Sequence, residues 1–170
     1  TPGTSAKILV AVKHEYKMYV YEFGKLKHTY EIALSQSPVG HKEKQGDNRL
    51  PEGEYRITEK SRGPFGGDYA AYFGPAWMRL SYPNNFDAQD AMNKKIISKK
   101  ECASIVAANN ASKQPSKSTA LGGGIGIHGW NGDWPAFSRD LTWGCISMKN
   151  KDLDKFYETV EEQTHILILP

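Results

Sequence analysis

Residues 125–150, IGIHGWNGDWPAFSRDLTWGCISMKN, contain one histidine and one cysteine, each beside a glycine and separated by a stretch rich in turn-formers and tryptophan. A free cysteine thiol titrates near ~8.5 and is mostly protonated at neutral pH, so a nucleophilic cysteine needs an imidazole or a local positive potential. His128 is the candidate base that favours a thiolate at Cys145. The step Trp143-Gly144-Cys145 sets a glycine directly ahead of the thiol. A sharp turn there leaves the N–H groups of Gly144 and Cys145 as candidate oxyanion donors. Just upstream, residues 122–127 (GGGIGI) read as a small-residue strand along which another backbone approaches closely.

Other chemistries find less support. Free cysteine mostly behaves as a small buried apolar residue, and Cys102, in ECASIVAA, fits that description. Two cysteines do not make a disulfide framework. The histidines at 14, 28, 41, 128 and 165 form no close pair and no Cys-x-x-Cys is present, so neither a metal site nor any other cofactor is expected. No Gly-x-Ser-x-Gly elbow announces a serine hydrolase.

Three blocks, in order along the chain, carry a resemblance. They are Gly46-Asp47-Asn48-Arg49-Leu50-Pro51-Glu52-Gly53-Glu54-Tyr55, then Ser81-Tyr82-Pro83-Asn84 with Asp87, and finally His128-Gly129 followed by Thr142-Trp143-Gly144-Cys145-Ile146, Asn150 and Asp152. Together they resemble the signature of the L,D-transpeptidase catalytic domain family (YkuD-type). Two positions depart from it: many members carry His at Trp143 and Arg at Ser147. The resemblance implies a mainly β domain, a β-sandwich with a C-terminal helix packed on the sheet. It also implies His128 as base, the Gly129 carbonyl as the acceptor that orients it, and Cys145 as nucleophile.

Working outward, Asn150 is the expected cap of a helix in which Leu153, Phe156, Tyr157 and Val160 fall on one face, and His165 to Leu169 reads as a buried strand. Toward the N-terminus, residues 7–12, 17–23 and 26–34 read as a meander of strands, and 35–53 as a long polar loop. The sheet resumes at Tyr55 to Thr58. Residues 71–82 supply bulky strand material interrupted by Pro75, and 87–110 is helical, with Ser98 capping 99–108. Polar residues 109–119 form an excursion that either covers a cleft or is a plain surface insertion. Residues 1–6 read as a linker end and 7–170 as one domain of ordinary composition. A net charge of +3, spread along the chain, excludes a dense nucleic-acid-binding face. No apolar run is long enough to span a membrane.

The activity implied by the resemblance is acylation of Cys145 by the tetrapeptide stem of peptidoglycan, loss of the terminal D-alanine, and transfer to the amine of a second stem in a 3→3 cross-link. Water as acceptor makes the same site an L,D-carboxypeptidase. An envelope protein is a third possible acceptor, and a non-catalytic wall-binding module is the alternative from another class. Trp130, Trp134, Trp143, Tyr82, Arg139 and Ser147 are candidates for substrate contact. Such a protein is expected to be exported to the periplasm or cell wall, with its leader absent from this chain.

Overall fold

The computed structural model describes residues 7–170; the linker end expected at residues 1–6 lies outside the described residues. Strands β1 (Lys7–Val12), β2 (Lys17–Glu22) and β3 (Lys25–Ser35) form the expected meander. β4 (Gly53–Arg62) and β5 (Ala76–Leu80) follow, then helices α1 (Asn85–Asn93) and α2 (Lys99–Asn110). The short strands β6 (Gly126–His128), β7 (Asp140–Thr142) and β8 (Ile146–Met148) precede α3 (Asn150–Thr159) and β9 (His165–Leu169).

The sheet is a closed barrel and not the expected sandwich. Its order is β2-β1-β9-β4-β5-β6-β8-β3, and β3 pairs again with β2 to complete the ring, while β7 hangs on the end of β3. Closure depends on the length of β3. Its first part pairs with β2 and its second part, at Ile32 and Ala33, pairs with β8. One long strand thus serves both halves, and no free edge is left between them. Alternation along the strands sends Leu9, Ala11, Met18, Val20, Ile57, Met78, Leu80, Ile127, Ile146, Ile166 and Ile168 inward, all at most 2% exposed.

The helices follow local signals. α1 and α2 each begin with a reciprocal capping box, Asn84 with Asp87 and Ser98 with Glu101. Residues 87–110 are therefore two helices, separated at Lys95, whose φ is +59°. α3 buries Leu153 and Phe156 completely, about 1.5–3 kcal/mol each relative to exposure. Phe156 meets Tyr30 edge-on at 5.7 Å.

Other expectations are corrected. Gly122 and Gly124 have φ of +76° and +67°, left-handed values that no strand adopts, so only Gly126–His128 of residues 122–128 is strand. β5 starts at Ala76, after a single tight turn at Ala70–Phe73. The cap position of α3 belongs to Lys149, whose side chain makes no capping bond. Asn150 is already helical. Among the described residues no helix is long and apolar enough to cross a membrane.

Candidate active site

β6 and β8 run parallel, with Ile127 opposite Ile146 and His128 opposite Ser147. Both isoleucines are fully buried in the core, so alternation assigns His128, Ser147 and, two residues earlier, Cys145 to the outer face. A strand spacing of about 4.8 Å and a rise of about 3.3 Å per residue put the Cα atoms of His128 and Cys145 roughly 8 Å apart.

The imidazole is fixed through one nitrogen. His128 Nδ1 lies 2.7 Å from the Gly129 carbonyl oxygen. Since that oxygen only accepts, Nδ1 carries the proton and Nε2 the lone pair. Ser147 Oγ donates to the same oxygen at 2.8 Å and accepts from Trp134 Nε1–H at 3.1 Å. Trp77 stacks on the imidazole at 6.1 Å between centroids, and Phe73 meets it edge-on at 5.3 Å. Burial lowers the pKa of His128, only partly offset by main-chain hydrogen bonding to Gly129 and Tyr72.

The thiol has the opposite displacement. Cys145 is half-buried and its Sγ lies 3.5 Å from the Gly124 carbonyl. Burial pushes its pKa up to about 11, against the weaker pull of the Gly126 main chain and the Lys42 charge. Both groups are therefore neutral at pH 7. The resting thiolate expected from the sequence is not the species this environment favours. A neutral imidazole protonated on Nδ1 is instead suited to take the proton at Nε2 as the sulfur attacks.

The turn before the thiol needs its glycine. Gly144 has φ +141°, and a Cβ there would lie 3.1 Å from both the Arg49 carbonyl oxygen and Ile125 Cδ1. Thr142 Oγ1 donates to the Cys145 carbonyl at 2.6 Å and takes the Gly144 N–H at a long 3.4 Å.

The connection between β4 and β5 folds over this face. Gly129 N–H donates to the Phe73 carbonyl at 2.7 Å, and a Cβ on Gly74 would lie only 2.8 Å from the Trp130 nitrogen. Tyr72 packs edge-on against Trp130 at 5.0 Å and Tyr69 against Trp143 at 5.2 Å. Asn150 holds the main chain at Trp130. Its Oδ1 accepts Trp130 N–H at 2.9 Å and its Nδ2 donates to the Trp130 carbonyl at 3.0 Å.

The L,D-transpeptidase catalytic domain model, YkuD, matches residues 5–168. This chain belongs to that family. Among solved structures it is similar to the helical cell shape determining protein Pgp2 of Campylobacter jejuni, at 25% identity and TM-score 0.64, covering 96% of this chain and 46% of that one. Bd1075 of Bdellovibrio bacteriovorus aligns at 21% identity and TM-score 0.63, over 99% and 49% of the two chains. L,D-transpeptidase 1 of Mycobacterium tuberculosis aligns at 12% identity and TM-score 0.51, over 97% and 62%. The chain thus spans about half the length of the first two. No curated protein matches the sequence.

Within this L,D-transpeptidase domain the six candidate contact residues divide. Trp143 is 63% exposed, with its ring edge-on to Tyr69, and Trp130 packs beside Tyr72. Arg139 pairs with Glu31 at 3.0 Å, with its guanidinium 5.7 Å from the Trp134 ring centroid. Ser147 is fully buried and works on the Gly129 carbonyl. Tyr82 is not a cleft wall: just past the end of β5 it is fully buried against Tyr55, its hydroxyl donating to the Leu121 carbonyl at 3.2 Å. Asp140, the first residue of β7, accepts from the Tyr16 hydroxyl at 2.8 Å and does not orient the imidazole. The sequence reading missed Trp77 and Phe73, which lie against His128. Trp77 alternates with the buried Ala76 and Met78, the one signal that it faces outward.

Proposed function

We propose that this domain is a cysteine-dependent L,D-transpeptidase that acts on the tetrapeptide stems of peptidoglycan in the cell envelope, after export. The observation that carries the reading is the parallel pairing of β6, which ends at His128, with β8, which begins directly after Cys145, together with the Nδ1–H bond to Gly129 that leaves Nε2 unprotonated. Cys145 Sγ attacks the carbonyl of the third stem residue, a diamino acid, while His128 Nε2 takes the thiol proton. The tetrahedral oxyanion is received by the N–H groups of Gly144 and Cys145, worth about 3 kcal/mol each by comparison with other acyl-transfer sites. The imidazolium then protonates the departing D-alanine amine, leaving a thioester on Cys145.

The amine of a second stem attacks this thioester, with His128 as base, to give the 3→3 cross-link. Water in its place gives the L,D-carboxypeptidase outcome, and an amine of an envelope protein gives wall attachment. The likeness to a cell shape determining protein supports a role in remodelling the wall.

The decisive experiment is intact-protein mass after incubation with a disaccharide-tetrapeptide. An adduct equal to the substrate minus D-alanine is expected in the parent and absent in Cys145→Ala. A folded parent with reduced thiol and no adduct would leave a non-catalytic wall-binding module. Product analysis with and without an added amine then separates transfer from hydrolysis.

A further inference from the structure

Arg79 stands on the same face of the barrel as the proposed nucleophile, and no sequence motif points to it. In the β5–β6 pair Trp77 lies opposite His128 and Arg79 opposite Gly126. Directly paired residues share a face, and so do residues two apart on one strand. The stacking of Trp77 on His128 fixes that face as the outer one. On the other side of β6, the register that sets Ile127 against Ile146 brings Gly126 level with Cys145. Arg79, Gly126 and Cys145 therefore form a row across three neighbouring strands. At about 4.8 Å per strand, the Cα atoms of Arg79 and Cys145 are roughly 10 Å apart.

The middle of the row carries no side chain of its own. The Trp77 indole lies over Gly126, where a Cβ would be 2.7 Å from the ring, so the floor between the cation and the thiol is flat and apolar. Arg79 itself is incompletely paired. Its Nε is buried without a hydrogen-bond partner among the described residues, and Glu59 Oε2 approaches only to 3.6 Å, beyond hydrogen-bond reach. The Glu59 side chain is half-exposed while that of Arg79 is 22% exposed. A buried guanidinium N–H without an acceptor costs stability that a bidentate carboxylate would restore.

We propose that Arg79 is a substrate-binding residue that takes a carboxylate of the stem peptide, displacing the loosely held Glu59. The proposal rests on the acyl-transfer reading of Cys145. It also supplies what the chain lacks at Ser147, where many family members carry an arginine on this same face. A separation of roughly 10 Å is about one extended residue, ~3.5 Å, plus a contact distance of ~3 Å at each end. It suits either of two carboxylates near the scissile bond: the terminal one of the leaving D-residue or the one on the side chain of the diamino acid.

The test uses the Cys145→Ala protein, so that binding is read without turnover, titrated calorimetrically with the tetrapeptide. Arg79→Gln is expected to weaken binding at least tenfold, Arg79→Lys less, and Glu59→Gln to tighten it several-fold. Peptides amidated at one carboxyl or the other identify the source. The amide that removes the recognised group binds weakly to the Arg79 protein and equally weakly to Arg79→Gln. Equal binding of the free tetrapeptide by Arg79 and folded Arg79→Gln proteins overturns the proposal, as does failure of the Arg79 protein to bind it at all. Binding that depends on Arg79 without any adduct on the native thiol overturns the acyl-transfer reading alone.

Discussion

Ser147 and His128 share one acceptor, the Gly129 carbonyl, at 2.8 and 2.7 Å. The two residues are also opposite each other across β6 and β8. Ser147 in turn accepts from Trp134, so a line of hydrogen bonds runs from an indole in the loop to the imidazole. Ser147→Ala removes one bond to the carbonyl and leaves the Trp134 N–H without its acceptor, together about 1–3 kcal/mol. The expected result is a lower melting temperature and a fall in kcat/KM of about tenfold, which corresponds to ~1.4 kcal/mol. Nitrogen NMR of His128 separates positioning from stability, because a loosened ring exchanges tautomers. Trp134→Phe should have a smaller effect, and the double variant less than the sum of the two, as members of one network do.

The two displaced pKa values give a pH signature. His128, buried and neutral, has a folded pKa below its ordinary value, so the unfolded chain takes up a proton first as the pH falls. Its contribution to stability is complete above the ordinary histidine value and is lost as pH drops through the folded one. Cys145 behaves in mirror image. Its contribution is complete below the ordinary thiol value and is lost as pH rises through about 11. Alkylation by iodoacetamide should therefore be slow at pH 7 and climb toward pH 11, with little change in His128→Ala. A plateau of fast alkylation at pH 5–7, abolished by His128→Ala, would instead show a resting thiolate–imidazolium pair.

Asn150 separates what was legible in the sequence from what was not. Asparagine is a favoured N-cap, and the amphipathic run behind it correctly marks α3. The cap geometry nevertheless falls on Lys149, while the Asn150 amide reaches back to Trp130, a contact distant in sequence that no local preference announces. The same limit hid the barrel. Each segment of β3 reads as strand, but nothing local says that one strand pairs with both β2 and β8. His128 and Cys145 were legible because glycines, turn residues and chemistry coincide within one short stretch. Asn150→Ala is accordingly expected to leave helix content by circular dichroism unchanged and to reduce kcat, since it frees the 130–132 wall. A loss of helix with kcat intact would restore the capping role.

Trp143 is the second departure from the family pattern, and its surroundings indicate a role at the rim. It is 63% exposed, yet its ring packs edge-on against Tyr69 of the opposite wall at 5.2 Å. An exposed aromatic pair contributes about 0.5–1.5 kcal/mol beyond area. Removing it should cost little stability while widening the mouth of the cleft. Trp143→Ala and Tyr69→Ala are each expected to raise KM several-fold with kcat nearly unchanged, because neither ring positions the Cys145 sulfur or the His128 imidazole. Trp143→His, which reinstates the residue many family members carry, should shift the relative kcat/KM among stem peptides of different length more than it changes the rate for any one of them. A fall in kcat at constant KM for Trp143→Ala would mean that this ring holds the turn at Gly144, and would move Trp143 from the rim into the machinery that places the nucleophile.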